Sequence, residues 1–292
     1  MTTTGLSSLL LCLTTLVAST LHADVTNTAA STQRAAQDCA KNVVLTGYWP
    51  PTNEMLRPWS TDLQKNPQGW TGRNWGNYGF DVYAFFPEFP PDGDPMNDPF
   101  GTDGWIGSPD SVLRVDYQHS SVDFWQIVDR LRPHVLVTTS RGGALGWEIE
   151  AVEGGHDNAT DDPANDWLAD GHGEFTLPER DSIAPRSWAA ISEYRRGRTL
   201  ASQLPMQRIL AATQALQLTE VGIDPDGTSG RYLSGFMGLH GLYYNSLNAH
   251  VVAAGHIHVG IDVPVENAQA LLEASLHSIL QPLNPLSLDC PR

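Results

Sequence analysis

Patterns of buried β-strands recur along this chain and are separated by segments with helical periodicity. The strand-like apolar runs occupy residues 41–48, 80–86, 134–139 and 251–259, and the helical patterns occupy 122–131, 204–216, 233–244 and 265–280. Strands that alternate with helices favour a parallel sheet with helices on its faces. We therefore predict an α/β fold with a largely parallel sheet.

Weaker patterns complete this outline. Residues 147–153 alternate between apolar and polar, which is typical of an edge or half-exposed strand, and 221–223 resemble a short strand end. Segments near 87–120 and 155–200 are rich in Gly, Pro and Asp, which indicates acidic loop insertions. Since no internal repeat or linker is visible, we predict one domain over 41–292.

The N-terminal segment is predicted to lie outside this domain. Residues 6–21 are apolar with Ser and Thr, and the run ends Leu21-His22-Ala23. This pattern is typical of a signal peptide over 1–23, although Lys and Arg are absent before the apolar run. A flexible lead-in would follow over 24–40, and we expect a secreted or periplasmic protein.

Removal of the leader would leave two cysteines, Cys39 and Cys290. Paired cysteines in an exported chain favour a disulfide, and two free thiols are the alternative. The formal net charge of −16 argues against nucleic acids and anionic membranes as partners, because both are negatively charged. Nothing in the sequence indicates an oligomeric state.

The stretch 226–244 has the pattern of a glycine turn that leads from a strand into a helix, with Ser234 in the first turn of the helix. Free backbone N–H groups and the positive end of the helix dipole suit a nucleophile or an oxyanion there. A helix cap is the alternative role for Ser234. His258, at the end of an apolar strand, is a candidate base for this serine.

Short motifs in this chain share their order and spacing with those of a known family. Residues 44–50, Val-Leu-Thr-Gly-Tyr-Trp-Pro, resemble VTGFEPFGG, and residues 146–158 match GR-x-x-I-x-x-ER-x-A-x-N in length. Residues 229–235, Ser-Gly-Arg-Tyr-Leu-Ser-Gly, resemble AGTYxCN, and 255–259, Gly-His-Ile-His-Val, resemble GFIHVP. The chain therefore resembles the pyroglutamyl peptidase I (pyrrolidone-carboxylate peptidase) family.

This resemblance implies a three-layer α/β/α sandwich that removes N-terminal pyroglutamyl residues without a cofactor. It places Ser234 on the nucleophilic cysteine, His258 on the catalytic histidine and Glu153 on the catalytic acid. A base within reach of the nucleophile and an acid that orients the base would form the triad. The implied substrate-binding residues are Tyr48, Trp49, Asn158 and Tyr232.

Several family positions carry different residues here. Serine replaces the cysteine at Ser234, Gly235 and Gly154 replace an asparagine and an arginine, and 161–165 lack the family's next arginine. Two hypotheses follow. The first is an exported hydrolase that cleaves an amide or small peptide through a Ser-His-Glu triad. The second is an inactive relative that binds a ligand or partner.

Other residues give weaker candidate sites. Ser229 is a second possible nucleophile, although Arg231 occupies the last glycine position of a Gly-x-Ser-x-Gly motif. His240, His256 and His258 could bind a metal with Asp262. A run of aspartates could form a calcium loop, but the prolines among them favour a solvated loop: Asp92, Asp94, Asp98 and Asp103. We therefore expect no metal site.

Overall fold

The computed structural model describes residues 39–87, 112–143, 146–154, 199–227 and 232–290 of the 292. The predicted leader, most of both predicted acidic insertions, Ser229 and Asn158 lie outside these ranges. The chain forms a main unit, Lys41–Pro285, and a terminal unit that includes Cys39, Ala40 and the residues from Leu286 onward. Within the terminal unit Cys39 and Cys290 form a disulfide, as the sequence predicts.

The strands of the main unit form two sheets. They are β1 Asn42–Thr46, β2 Asp81–Phe85, β3 Val135–Arg141, β4 Trp147–Glu150, β5 Val152–Gly154, β6 Thr199–Ala201, β7 Val221–Asp224 and β8 Ala253–Val259. A six-stranded sheet with the order β2-β1-β3-β8-β4-β7 forms the centre of the unit. All its neighbouring strands are parallel except β4 and β8, which are antiparallel. A second, two-stranded sheet pairs β5 with β6.

Helices cover this sheet. They are α1 Tyr117–Leu131, α2 Met206–Gln214, α3 Leu233–Leu247 and α4 Val265–Leu280, with 3-10 helices at Glu54–Trp59, Trp75–Asn77 and Pro285–Ser287. Every residue of β1 and β8 is buried. Since successive strand side chains point to opposite faces, both faces of the sheet are covered, which confirms the predicted α/β architecture. No helix in the described ranges combines the length and apolarity needed to cross a membrane.

The core on one face of the sheet joins α1 and α3 to Val44, Leu136 and Ala254 of the central strands. Aromatic side chains from the two helices meet there, and the rings of Tyr117 and Phe236 cross edge to face at 5.0 Å. This core fixes the N-terminus of α3 near the carboxyl ends of β3 and β8, because α3 packs along both strands.

Two predicted elements differ from the structure. The segment 147–153, predicted as one edge or half-exposed strand, forms parts of two strands: β4 lies between β8 and β7 and ends at Glu150, and residues 152–153 belong to β5 of the two-stranded sheet. Its alternation reflects Glu148, which is exposed between the buried Trp147 and Ile149. Helix α1 begins at Tyr117 rather than at residue 122, because the buried Tyr117 ring belongs to the core.

Candidate active site

The carboxyl ends of β3 and β8 and the first residues of α3 surround a cavity of about 350 Å³. Ser140 of β3 and Glu148 of β4 both lie opposite His258 of β8 in the strand registers, so these side chains stand in a row on one face. The cavity is lined by Tyr48, Trp49, Ser140, Arg141, Gly142, Gly143, Glu148, Tyr232, Leu233, Ser234 and His258.

Ser234 is the second residue of α3 and lines the cavity. The N-cap of α3 is Tyr232, with extended backbone (φ −100°, ψ 178°) and no side-chain cap hydrogen bond. Ser234 therefore does not occupy the N-cap position. A side chain in the first helical turn lies beside backbone N–H groups that have no intrahelical acceptor. This part of the cavity can therefore stabilise negative charge.

His258 contacts a buried carboxylate on the neighbouring strand. Its Nδ1 lies 2.9 Å from Oε1 of Glu150, whose side chain is fully buried. Burial raises the pKa of Glu150, the nearby His258 lowers it, and Asp224, opposite it on β7, raises it further. Because Nδ1 faces Glu150, the other ring nitrogen of His258, Nε2, is the one that can serve as a base in the cavity.

The carboxylate that contacts His258 is therefore that of Glu150 and not that of Glu153, the residue predicted from the sequence. The chain bends at Ala151 between β4 and β5, so Glu153 leaves the main sheet and pairs in register with Leu200 of β6. Its carboxyl group packs against α3 at Gly238, where a Cβ atom would lie only 2.6 Å from Glu153 Cδ.

The sequence did contain a signal for Glu150. In the family pattern GR-x-x-I-x-x-E, the glutamate follows the glycine by seven positions, and counting from Gly143 gives Glu150. The match of the whole pattern to residues 146–158, from Gly146 to Asn158, places the glutamate at Glu153 instead. The cavity residues Ser140, Arg141 and Glu148 were also missed. Ser140 and Glu148 reach the site only through strand registers that the local sequence does not encode.

A second histidine lies behind His258. His256 is fully buried, with Nε2 2.8 Å from Ser140 Oγ and Nδ1 2.8 Å from Thr138 Oγ1. Burial lowers its pKa well below the usual value, and His258 lowers it further. His256 is therefore neutral at physiological pH and holds Ser140 in the cavity wall. Its hydroxyl partners cannot stabilise an imidazolium as a carboxylate does.

The metal site considered from the sequence is not assembled. His240 lies in the core between α1 and α3, with Nε2 2.8 Å from Ser121 Oγ and Nδ1 2.7 Å from the Phe236 carbonyl oxygen. A different group in the described residues has a suitable spacing for a cation. One ligand atom from each of Glu148, Glu150 and His258 lies within 4.8 Å of the other two.

The predicted substrate-binding residues that the structure describes line the cavity. Tyr48 and Trp49 are buried, while Tyr232 is 43% exposed. The Arg141 guanidinium carbon lies 4.9 Å from the centroid of the Trp49 ring, within the range of a cation–π contact. Among the described residues, the cavity therefore combines aromatic rings with the cationic side chain of Arg141 and the carboxylate of Glu148.

Comparison with solved structures shows a shared fold. A single-site mutant of pyrrolidone carboxyl peptidase from the hyperthermophile Pyrococcus furiosus matches with a TM-score of 0.52 and 12% identity, over 82% of this chain and 99% of that one. Structures of the same enzyme and its cysteine-free mutant match with a TM-score of 0.51 and 12% identity, again over 82% and 99%. No family model and no curated protein matches the sequence.

Proposed function

We propose that this chain is an exported serine hydrolase, a divergent relative of the pyroglutamyl peptidases, that cleaves an amide or small peptide. Ser234 is the nucleophile, His258 the general base and Glu150 the orienting carboxylate. The observation that carries this proposal is the 2.9 Å contact between His258 Nδ1 and the fully buried Glu150. A buried carboxylate on a histidine beside a cavity is the arrangement that prepares an imidazole to accept a serine proton.

The proposed reaction follows from these positions. Ser234 Oγ attacks the substrate carbonyl carbon while its proton moves to His258 Nε2, and Glu150 accepts a hydrogen bond from Nδ1–H. First-turn N–H groups of α3 stabilise the oxyanion. The protonated His258 then gives its proton to the leaving amine, and water hydrolyses the acyl-enzyme by the same steps. These steps use no cofactor.

We expect a fluorophosphonate probe to label the folded, purified protein at Ser234, as located by mass spectrometry of the modified peptide. Ser234→Ala should abolish the labelling and lower turnover of fluorogenic aminoacyl or pyroglutamyl amides by up to about 10⁶-fold. Ser140→Ala is the matched control, since Ser140 lines the same cavity but is bonded to the neutral His256.

The Ser140→Ala protein should still be labelled at Ser234. If the folded protein is not labelled, the chain is the inactive binding relative that the sequence left as the alternative. If the label is found on Ser140, the nucleophile has been assigned to the wrong serine.

A further inference from the structure

Glu148 is a carboxylate in the cavity that the proposed reaction does not use. It is the exposed residue of β4, while Trp147, Ile149 and Glu150 beside it are fully buried. Within the described part of the chain it makes no hydrogen bond or ion pair, and Arg141 stacks on Trp49 instead of pairing with it. Among the described residues, the negative charge of Glu148 therefore faces the cavity without an ion-pair partner.

Glu148 lies close to His258, the general base of the proposed reaction. Glu148 lies opposite His258 in the register of β4 and β8, and the two side chains bring ligand atoms within 4.8 Å of each other. A substrate whose carbonyl carbon lies between Ser234 and His258 would have its nearest substituents within reach of Glu148. In an aminoacyl amide, the α-amino group is one bond from the α-carbon that bears the carbonyl.

We propose that the Glu148 carboxylate binds the α-ammonium group of the substrate, so that the site selects amides of amino acids with a free N-terminus. This inference rests on the proposed function and specifies its substrate class. An ammonium group would form a charge-assisted hydrogen bond with Glu148. A lactam or an acylated amine would leave the carboxylate partly desolvated without a counter-charge, and this disfavours binding.

The surrounding aromatic rings suit the same ligand. Tyr48 and Tyr232 line the cavity, and aromatic rings attract cations electrostatically. A cavity of about 350 Å³ is within the size range of small-molecule sites. It is therefore large enough for an aminoacyl group.

The test compares three aminomethylcoumarin amides that share the carbon chain of glutamine and differ at the α-nitrogen: glutaminyl, with a free amine, pyroglutamyl, with a lactam, and N-acetylglutaminyl, with an acylated amine. We expect the protein to hydrolyse the glutaminyl amide with a kcat/KM at least about tenfold above that of the other two. Glu148→Gln, which keeps the shape and removes the charge, should lower kcat/KM for the glutaminyl amide about 10- to 100-fold, mainly through KM. The values for the two neutral amides should change less than about threefold.

The exposed Glu266 of α4, which does not line the cavity, provides the matched control. Glu266→Gln should leave all three rates unchanged. Activity on the glutaminyl amide should also fall as the pH rises through the pKa of its α-amine, about 8, while activity on the acetylated amide should not. Equal effects of Glu148→Gln on all three substrates would overturn the inference.

A binding measurement separates this inference from the proposed function. Calorimetry with the Ser234→Ala protein should show tighter binding of glutaminamide than of pyroglutamamide, and Glu148→Gln should remove the difference. If no amide is hydrolysed but this preference is found, the proposed function fails while the ammonium site stands. If amides are hydrolysed through Ser234 without such a preference, the function stands and the ammonium site is wrong.

Discussion

Two glutamates only three positions apart have opposite relations to the candidate site. Glu150 is buried in the main sheet with its carboxylate on His258, whereas Glu153 is buried against α3 at Gly238. The bend at Ala151 separates their roles. An acid that orients a catalytic histidine acts through its charge and its hydrogen bond. Replacing Glu150 and Glu153 in turn by neutral glutamine therefore shows which of them has this role.

We expect Glu150→Gln to lower kcat by about 10⁴-fold, the loss typical of an amide in place of an orienting carboxylate. Glu153→Gln, the matched control, should keep kcat within about tenfold and should mainly affect stability. Steady-state kinetics on the best amide substrate and circular dichroism of both variants provide the measurement. Equal losses in both variants would mean that Glu150 is not specifically the orienting acid.

The Glu150→Gln substitution should also alter how the free energy of unfolding depends on pH. The pKa of Glu150 is raised in the folded protein, mainly by burial. A group with a raised folded pKa contributes stability that is present below its unfolded pKa and is lost as the pH rises through its folded pKa. The free energy of unfolding of Glu150→Gln, relative to the unmodified chain, should therefore increase with pH across that range.

At the scale of single residues, the sequence pointed to Ser234 and His258, which line one cavity, but not to the acid that contacts His258. Ser234 and His258 each lie in a local pattern, the start of a helix and the end of a strand, which short motifs describe. The position of Glu150 beside His258 depends on the antiparallel pairing of β4 with β8. A small shift in alignment is enough to select a different glutamate when several glutamates are close in the chain.

Between elements, a buried hydrogen bond joins two helices. His240 of α3 bonds Ser121 of α1, and its ring packs against Phe236 at 4.2 Å between centroids. Burial lowers the pKa of His240 from 6.5 to about 4. The neutral ring is therefore part of the contact between α1 and α3, and its protonation would place a positive charge in this apolar core.

We expect this histidine to make stability depend on pH in the acid range. Between about pH 4 and 6.5 the unfolded state binds a proton at His240 that the folded state does not, so stability rises with pH across this range. The maximal contribution is about 3 kcal/mol. The free energy of unfolding, measured with urea at several pH values, should rise less steeply with pH for His240→Asn than for the unmodified chain.

An exposed histidine provides the control for this measurement. His119 lies on the same helix as Ser121, and its side chain is 50% exposed. Its replacement by asparagine should leave the slope nearly unchanged, because the His119 side chain is half exposed and is not part of the buried contact between α1 and α3. If the free energy of unfolding of His240→Asn depends on pH as steeply as that of the unmodified chain, His240 is not the source of this pH dependence.

Strands and helices with a clear apolar pattern in their own sequence were predictable. The last helix, 265–280, was predicted with the bounds that the structure has, and the central strands were located within a few residues. The place of β4 between β8 and β7 was not predictable, since its exposed Glu148 gives it the polar alternation of an edge strand. That exposure comes from the cavity and not from the edge of the sheet.

For the whole molecule, the proposal of export rests on the predicted N-terminal leader and is consistent with the disulfide. Disulfides persist in oxidising compartments and are rare in reducing ones. Cys39 and Cys290 are bonded with a sequence separation of 251 residues and a Cα–Cα distance of 5.8 Å. The resulting loop spans almost the whole chain after the leader, so the bond restricts the unfolded ensemble strongly.

We therefore expect the mature chain, without residues 1–23, to show no free thiol when it is unfolded without reductant. Cys39→Ser combined with Cys290→Ser should lower the free energy of unfolding by about 2–5 kcal/mol, chiefly because the unfolded chain regains the entropy that the closed loop removes. Thiol titration and denaturant unfolding with and without reductant provide the measurement. The double variant serves as the control for reductant, which should not affect its stability. Two thiols per unfolded chain, or equal stability of the oxidised and reduced proteins, would show that this bond does not stabilise the fold.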